Sequence, residues 1–555
     1  MPVLADPNRR IRFTLFLFLL VFIAVIGKTV YLQTVKAEEF SAKASEQQVK
    51  EFTFPARRGT IFDRNGHELA VGEEAKSITA DPFYIENPLE TAEFLAPLLK
   101  VDQKELLEKL SSREKSSSVY LARKIDPATA AIIEDAHISG LWMHSEEKRR
   151  YPQKQVAAQV LGFAGTDNQG LAGMELQLDE YLTGTGGSQR IVFDPAGNQI
   201  ETLSLEEGSR GTDVTLTIDQ ALQFEAEKVL SETVSQWSAK SAACIIMNPK
   251  NGEILAMANV PTVDANTFSQ ISEDQRRNRT VVDTYEPGSI FKAVTVGAGL
   301  EVGAVAPGQT YYLPTTLELG GRTIKDAVDR GEVDWDLGQI LVHSSNIGAV
   351  TVGMRTGEAQ LDEWIRRFGF GSPTGIDFPG EEIGIVWPPE DWSESTIGNV
   401  PIGQGLSVTA VQMAAAYSTI ANNGIAVTPR LVRAIGDEPV ASAEGRRIIS
   451  EQNSRQLRSY LQMVVEEGGA PLAQIDGYHV AGKTGTAQKL LPDHSAYSDE
   501  DYIGSFIGMV PASDPQLVVL VMVDEPHPFG GGGTVAAPAF QKITQFSLQK
   551  MEIAP

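Results

Sequence analysis

A serine three residues before a lysine is the pattern in this sequence best suited to nucleophilic chemistry. Ser289 follows the bend Pro287-Gly288 and opens an apolar stretch with helical spacing, and Lys292 comes one turn later. Residues at i and i+3 share a helix face, so the amine of Lys292 can reach the hydroxyl of Ser289. A serine attacks well only when a base removes its proton. Lysine could be that base if burial and a second cation lowered its pKa from about 10.4.

Two further groups of polar residues strengthen this hypothesis. The Ser-x-x-Lys spacing alone is not specific, because 112–115 and 547–550 also fit it. Ser344-Ser345-Asn346 and Lys483-Thr484-Gly485-Thr486 follow the first motif along the chain. Alone, the first of these groups is typical of a turn or helix cap and the second of a β-turn. In this order, the three groups together indicate a site for acyl transfer through a serine.

Other chemistries fit the sequence less well. The segment 477–484 matches the phosphate-binding pattern G-x-x-x-x-G-K-[ST], but that loop must follow a buried strand and open a helix. The residues before it form a poor strand, and 478–481 alternate like a strand themselves. The seven histidines show no metal-ligand spacing, so the sequence predicts neither a metal nor another cofactor. A G-x-S-x-G motif is absent. The one cysteine, Cys244, lies in an apolar run and is predicted to be a buried structural thiol.

An α+β fold is predicted to position these residues. A domain boundary is expected near 211–217, followed by a helix capped by Asp219. Apolar runs at 242–247 and 254–258 flank an Asn-Gly turn and predict one hairpin, and 503–510 with 517–523 predict a second. The two hairpins come from opposite ends of the domain and have helical stretches between them. They therefore indicate an antiparallel sheet with helices packed on it.

The first third of the chain predicts a membrane anchor and a separate module. The stretch 13–32 is apolar except for Lys28 and about 20 residues long, enough to span a bilayer as one helix. A signal peptide cleaved near 42–44 is the alternative. The arginines at 9, 10 and 12 favour a cytoplasmic N-terminus and an exported remainder. Beyond the span, the Asn65-Gly66 pair predicts a hairpin in which Arg58, Asp63 and Arg64 form structural charge pairs. Helices and loops are expected over 85–145, and short strands and turns over 161–214.

Length and charge narrow the class of protein. The chain has 555 residues, enough for two or three domains, and its ordinary apolar content excludes a disordered or collagen-like class. It carries 47 basic and 72 acidic residues and therefore a net charge of −25. A surface this acidic repels phosphate backbones, so a nucleic-acid partner is not expected.

The ordered motifs resemble those of the penicillin-binding proteins and the serine β-lactamases. Arg58-Gly59 with 63–66, and 170–175, resemble the N-terminal module of class B penicillin-binding proteins, the monofunctional transpeptidases with one anchor. The segments 285–289 and 403–409 are most similar to the septal, cell-division branch.

The resemblance implies a penicillin-binding/serine β-lactamase-like transpeptidase domain after an elongated pedestal module of the dimerisation type. The implied division is a cytoplasmic tail 1–12, an anchor 13–32, the pedestal 33–215, the transpeptidase domain 216–548 and a tail 549–555.

The resemblance also implies D,D-transpeptidation of peptidoglycan stem peptides. Ser289 would attack the penultimate D-Ala carbonyl, and Lys292 would be the general base. Ser344 would pass a proton to the leaving amine, and Lys483 would lie close enough to Ser344 to influence this proton transfer. Asn346 would hold Lys292 or the substrate amide.

The substrate itself would be held by the third group. Thr484, Gly485 and Thr486 are the implied substrate-binding residues, and the hydroxyls of Thr484 and Thr486 would bind the substrate carboxylate. The N–H groups of Ser289 and Thr486 would form the oxyanion hole.

The resemblance further implies binding partners and an alternative, non-catalytic function. β-Lactams would acylate Ser289 and stay attached, and a Glu-x-x-Leu-Asn segment of the class A β-lactamases is absent. A transpeptidase without a glycosyltransferase needs one, so a SEDS-type polymerase and other membrane division proteins are the expected partners. The alternative is a non-catalytic β-lactam sensor or division scaffold with the same fold.

Overall fold

The computed structural model describes residues 7–41, 49–54, 56–111, 118–193, 199–491 and 496–555. Their contacts divide the chain into two compact units. The first comprises Met1–Arg57, Glu74–Lys148 and Thr185–Ser209, and the second comprises Arg58–Glu73, Arg149–Gly184 and Arg210–Pro555. Two internal segments of the region 33–215, and its last residues from Arg210 onward, thus group with the C-terminal part of the chain. The domain boundaries drawn from the sequence stay a prediction.

The first unit begins with one long helix. It extends over Pro7–Thr34, somewhat further than the predicted span, and its apolar side chains are exposed. Within the described part of the chain it is the one helix long and apolar enough to cross a membrane. The hydroxyls of Thr14 and Thr29 donate to carbonyls four residues earlier, at 2.9 and 2.8 Å. The few polar side chains in this apolar helix therefore satisfy themselves within it.

The first unit contains a small antiparallel sheet and a helical cluster. The sheet has the strands Val49–Phe54, Gly187–Phe193 and Gln199–Glu206 in that spatial order. The prediction of helices and loops over 85–145 is wrong in part, because two strands occur there. The elements of this stretch are the helices Pro88–Leu99, Gln103–Ser111 and Pro127–Asp135 and the strands Val119–Ile125 and Leu141–Arg150. Half of the residues in the second strand are charged, and they follow one another, so its sequence shows no period-2 apolar pattern.

The second unit is built around a five-stranded antiparallel sheet. Its strands, in chain order, are Ser241–Met247, Ile254–Val260, Ala481–Leu490, Tyr497–Val510 and Leu517–Asp524. The first two and the last two form the predicted hairpins, which are confirmed. Ala481–Leu490, here called the edge strand, lies at one border of the sheet and pairs only with Tyr497–Val510.

Helices complete the second unit. Its longer helices are Gln220–Gln236, Lys292–Glu301, Leu337–Val342, Asn346–Thr356, Glu358–Arg367, Ala410–Ala421, Glu451–Glu466 and Gly532–Lys550. Its shorter helices are Ala158–Leu161, Gly173–Gln177, Asp179–Leu182, Glu273–Arg276, Arg279–Val282 and Thr396–Asn399. Its short strands are Ile61–Phe62, Phe163–Ala164, Gly170–Ala172, Val214–Leu216, Thr284–Tyr285, Tyr311–Leu313, Leu317–Leu319, Arg322–Ile324, Val333–Trp335, Val408–Thr409, Ile425–Ala426, Val432–Ile435, Glu438–Pro439 and Arg446–Arg447. Glu68–Ala80 begins in this unit and ends in the first.

Local sequence explains two of these helices. Asp219 caps Gln220–Gln236 by accepting from the backbone of Ala221 and Leu222, as predicted. The helix Lys292–Glu301, here called the lysine helix, is buried on all sides from its first residue to Leu300. A Cβ on its Gly299 would lie 2.9 Å from two valine side chains, so a small residue is needed for neighbours to approach this closely. The core therefore surrounds the lysine.

Candidate active site

Ser289 lies in a short 3₁₀ turn, Gly288–Phe291, that continues directly into the lysine helix. Gly288 enters this serine turn with φ +55°, a left-handed conformation that glycine adopts at little cost. Its N–H donates to the carbonyl of Gly403 at 3.0 Å. The sequence prediction of a bend followed by a helix is thus met, with a 3₁₀ turn where the first α-helical turn was expected. Ser289 itself is half-buried.

Glycines allow two other segments to approach the serine turn. A Cβ on Gly403 would lie 2.2 Å from the carbonyl oxygen of Gly288. A Cβ on Gly485 would lie 2.4 Å from the hydroxyl oxygen of Ser505 and 3.1 Å from Ile290. At both positions the neighbouring atoms are too close for a residue larger than glycine. The glycine of Lys483-Thr484-Gly485 is therefore explained by the close contact between the edge strand and the serine turn.

Lys292 is fully buried and donates three hydrogen bonds to the Ser344–Asn346 segment. Its Nζ lies 2.6 Å from the carbonyl oxygen of Ser344, 2.7 Å from Oδ1 of Asn346 and 3.3 Å from Oγ of Ser344. Oγ of Ser289 is not among its acceptors in the described part of the chain. The structure thus brings the first two motifs together through the lysine, whereas the expected contact between Lys292 and Ser289 is not a hydrogen bond here.

Lys483 brings the third motif to the same place. Its Nζ lies 3.0 Å from Oγ of Ser344, and 3.3 and 3.4 Å from the carbonyl and hydroxyl oxygens of Thr484. Its side chain is also almost completely buried. The hydroxyl of Ser344 therefore lies between the amines of Lys292 and Lys483, in reach of both.

Both lysines lose their protons easily in this environment. Burial lowers the pKa of Lys292 well below its usual value, the charge of Lys483 lowers it further, and Asp326 acts in the opposite direction. Burial lowers the pKa of Lys483 to about 7. Because desolvation penalises an ammonium without an ion-pair partner, either amine can act as a base near neutral pH. A lysine was expected to act as the base only if burial and a second cation lowered its pKa, and the site contains both.

Ser344 and Asn346 are held by the loop and helix in which they lie. Ser344 has φ +51°, an uncommon conformation for a residue other than glycine. Ser345 caps the helix Asn346–Thr356 by accepting from the N–H of Gly348 at 2.9 Å. The amide Nδ2 of Asn346 donates to the carbonyl of Lys325 at 2.8 Å, which leaves its Oδ1 for Lys292.

Asp326 is a site residue that the sequence motifs missed. One of its carboxylate oxygens accepts from the N–H of Ile347 at 3.0 Å, and both lie within 3.0 Å of the hydroxyl of Ser345. Arg330 pairs with it at 2.6 Å. Asp326 precedes the Ser344 motif by 18 residues in an irregular segment, so no periodic pattern in the sequence could have indicated this contact.

His343, beside the motif, has a packing role. Its ring stacks on Trp335 with centroids 4.3 Å apart, and the guanidinium of Arg330 also lies over Trp335. His343 therefore has a structural role in packing.

Thr484 and Thr486 lie on the edge strand beside the start of the last helix. Thr484 is half-buried and Thr486 is exposed. Oγ1 of Thr486 accepts from the N–H of Gly532 at 3.2 Å. A Cβ on Gly532 would lie 2.4 Å from the carbonyl oxygen of Gly485, so the glycine run brings the helix start against the edge strand. Gly532 and Gly533 are therefore not part of a flexible loop, because they begin the helix Gly532–Lys550.

The alternative chemistries receive no geometric support. Lys483 and Thr484 lie within the edge strand, whereas a phosphate-binding loop requires them at a helix N-terminus. Cys244 is buried in the sheet, and burial raises its thiol pKa. Among the described residues, no group of three or more His, Cys, Asp or Glu side chains could hold a metal ion.

Comparisons with known proteins agree with this fold and site. The family described as "Penicillin binding protein transpeptidase domain" matches residues 242–545, and "Penicillin-binding Protein dimerisation domain" matches residues 53–216. The matched ranges include every residue of the candidate site. The chain therefore belongs to the penicillin-binding proteins, specifically the class B enzymes with one transpeptidase domain after a dimerisation-type pedestal.

Individual relatives align over the whole chain. A probable peptidoglycan D,D-transpeptidase, PbpC of Pseudomonas aeruginosa, is 36% identical over 100% of this chain and 97% of its own length. The stage V sporulation protein D of Bacillus subtilis is 34% identical, covering 99% and 86%. The peptidoglycan D,D-transpeptidase FtsI of Escherichia coli is 31% identical, covering 96% and 90%.

Solved structures show the same fold. Penicillin-binding protein 3 of Mycobacterium tuberculosis, crystallised with aztreonam, superimposes with a TM-score of 0.71 at 29% identity. That match covers 91% of this chain and 98% of the other. A peptidoglycan synthetase from Bifidobacterium adolescentis gives a TM-score of 0.74 at 29% identity, covering 91% and 97%.

Proposed function

We propose that this chain is a peptidoglycan D,D-transpeptidase that cross-links stem peptides through an acyl-serine intermediate and is acylated by β-lactams. The single observation that carries the proposal is the buried pair of amines, Lys292 and Lys483, on either side of the Ser344 hydroxyl and next to the serine turn. It agrees with the names of the relatives and with the family match.

The first half of the reaction forms the acyl-enzyme. Oγ of Ser289 attacks the carbonyl carbon of the penultimate D-Ala, and its proton passes to a neutral lysine amine, for which Lys292 is the favoured base. The C–N bond to the terminal D-Ala breaks as Ser344 donates its proton to the leaving amine. The hydroxyl of Ser344 is replenished from the neighbouring amines of Lys292 and Lys483, which lie within 3.3 Å of it.

The second half transfers the acyl group to a neighbouring strand. The amine of a second stem peptide attacks the ester carbonyl, loses a proton to the same relay and releases Ser289. A neutral Lys292 has two N–H groups, which its two shortest contacts, to Ser344 and Asn346, can use. Its lone pair then remains available for a proton.

The edge strand supports the roles proposed for Thr484 and Thr486. A Cβ on Gly288 would lie 3.3 Å from the carbonyl oxygen of Thr486, so this carbonyl faces the serine turn. The N–H and C=O of one residue leave an extended strand on the same side, so the N–H of Thr486 faces the serine turn too. With the N–H of Ser289 it would form the oxyanion hole, and the two threonine hydroxyls would bind the terminal carboxylate.

Covalent labelling tests this function directly. Incubating the full-length chain with a fluorescent penicillin should label the wild type and leave Ser289→Ala unlabelled. Ser505→Ala is a matched control, because it removes a hydroxyl that lies near Gly485 and outside the lysine pair. Equal labelling of wild type and Ser289→Ala would contradict the proposal. A chain that is labelled at Ser289 but never cross-links stem peptides with its membrane partners present would favour the sensor or scaffold.

The proposal includes a location. The helix Pro7–Thr34 anchors the chain in the cell membrane with its N-terminus in the cytoplasm, and the catalytic unit lies on the outer side, where peptidoglycan is. A β-lactam carrying a membrane-impermeant dye should label the chain in intact spheroplasts. Labelling that occurs only after lysis would indicate the opposite orientation in the membrane.

The proposal also includes a role and a partner. The chain acts in septal synthesis during division, together with a SEDS-type glycosyltransferase that supplies the strands and with other membrane division proteins. Depleting the chain should give filaments without septa, whereas rounded cells would indicate elongation. The glycosyltransferase should copurify from detergent extracts with the wild type and to a lesser extent when residues 13–32 are replaced by an unrelated span.

A further inference from the structure

The two-residue segment Lys325-Asp326 holds the Ser344–Asn346 motif from outside the helix in which the motif lies. The carbonyl of Lys325 accepts from Nδ2 of Asn346 at 2.8 Å. The carboxylate of Asp326 accepts from the hydroxyl of Ser345 at 2.9 Å and from the N–H of Ile347 at 3.0 Å. Three consecutive residues of the helix start are thus attached to two consecutive residues of this segment.

These contacts determine where the acceptors of Lys292 lie. An asparagine amide can rotate by half a turn and exchange its oxygen and nitrogen. The bond from Nδ2 to Lys325 requires the orientation in which Oδ1 faces the lysine, 2.7 Å from its Nζ. The carbonyl of Ser344 precedes the anchored Ser345 and lies 2.6 Å from the same Nζ. The position of the amine therefore depends on the anchoring of Ser345 and Asn346.

Asp326 is itself held firmly and is largely buried. Nε of Arg330 pairs with it at 2.6 Å, and both side chains are about one-tenth exposed. Arg330 also donates to the carbonyls of Leu313 and Gly331, at 3.2 and 2.9 Å, and lies over Trp335. Because Trp335 stacks on His343, the arginine also supports the residue just before Ser344.

We infer that Asp326 is a positioning residue for acyl transfer, which places the acceptors of Lys292 through Ser345 and the backbone of Ile347 and acts on the amine through its charge. The inference rests on the proposed function. Asp326 does not touch the reacting atoms. Arg330 faces its carboxylate directly, while Lys292, with Lys483 beyond it, lies within electrostatic range.

The charge of Asp326 predicts a change in the rate–pH profile that a purely structural residue would not cause. Burial and Lys483 lower the pKa of Lys292, while the carboxylate of Asp326 raises it. Replacing the carboxylate by an amide removes the opposing effect, so the amine loses its proton at a lower pH. The acidic limb of the rate–pH profile should then move to lower pH.

The experiment measures the rate of acylation by fluorescent penicillin as a function of pH, using the full-length chain in detergent. In Asp326→Asn we expect a rate about 100-fold lower, the cost of displacing a catalytic group by about 1 Å, and an acidic limb at lower pH. In Ser345→Ala, which removes the hydroxyl that contacts Asp326 and caps the helix but removes no charge, we expect a lower rate with an unmoved limb. Asp329→Asn, an exposed carboxylate three residues away, is the control and should match the wild type.

The outcomes separate this inference from the proposed function. If the wild type is not labelled, or Ser289→Ala is, the proposed function fails. If the wild type is labelled normally, an unmoved limb in Asp326→Asn or an unchanged rate in Ser345→Ala overturns the role of Asp326. If Asp326→Asn does not fold, as its circular dichroism would show, the rate of Ser345→Ala decides alone.

Discussion

The buried arginines Arg58 and Arg149 and the buried lysines Lys292 and Lys483, all in the second unit, have opposite kinds of partner. Arg58 and Arg149 both pair with Glu175, each at 2.6 Å, and Arg58 also pairs with Asp179 at 2.6 Å. Lys292 and Lys483 are just as buried, but their partners are the neutral oxygens of Ser344, Asn346 and Thr484. In the part of the chain that the structure describes, no carboxylate lies within ion-pair distance of either lysine.

The difference shows that the partners determine the protonation of a buried base. Burial alone acts to lower the pKa of Arg58, but the carboxylates of Glu175 and Asp179 outweigh it and raise the pKa. At the lysine pair burial is not compensated, and both pKa values fall. Arg58 keeps its charge, and the ion pairs of the arginine group connect distant segments of the fold. The lysine pair provides amines that can accept protons, at a cost in stability.

The largest expected effect is the loss of acylation when the favoured base is removed. Lys292→Met keeps the length and the apolar stem of the side chain but has no amine. We expect the rate of labelling by penicillin to fall by about 10³-fold, within the range for removing a general base. The rate constant from a time course of fluorescent labelling measures it. Lys542→Met, at an exposed lysine, is the control and should label like the wild type. A Lys292→Met variant with the normal rate would exclude Lys292 as the base.

Breaking the arginine group should instead destabilise the fold. Glu175→Gln leaves Arg58 and Arg149 without their shared carboxylate, and removing one partner of a buried ion pair costs about 3–5 kcal/mol. The free energy of unfolding in denaturant measures it. Glu180→Gln, which changes an exposed carboxylate nearby, is the control and should change the free energy of unfolding little. Molecules of Glu175→Gln that remain folded should label at the normal rate. A Glu175→Gln variant that is as stable as the wild type but labels more slowly would contradict the assignment of stability to the arginine group and of catalysis to the lysine pair.

The two groups were not equally predictable from the sequence. The three motifs could be recognised because each is local, with spacings of two or three residues set by a turn, a helix start or a strand. The hairpins of the sheet could be predicted for the same reason. Arg58 was expected to pair within its own hairpin, whereas its partner Glu175 lies 117 residues away. Asp326 is likewise distant from the motif that it contacts. Such contacts depend on tertiary packing, which no local pattern encodes.

The electrostatic cost of the lysine pair gives the last expected effect, a gradual dependence of stability on pH that is small per pH unit. The pKa of Lys483 is about 7 in the folded chain, and a free lysine has a pKa of about 10.4. Between these values the unfolded chain holds a proton that the folded chain does not. The wild type should therefore gain stability as the pH rises through this window, by up to about 1.4 kcal/mol per pH unit.

Lys483→Met has no such group, so its stability should lack the part of this rise that Lys483 causes, while the buried Lys292 contributes in both chains. Below about pH 7 the wild type pays the full cost of a buried charge, so the variant's advantage should be greatest there and should shrink toward about pH 10. Denaturant unfolding of both chains over this pH range measures the difference. Lys542→Met, at an exposed lysine, should follow the wild type at every pH. If the difference between Lys483→Met and the wild type is constant with pH, Lys483 keeps its proton in the folded chain. It would then resemble Arg58 and could not act as a base near neutral pH.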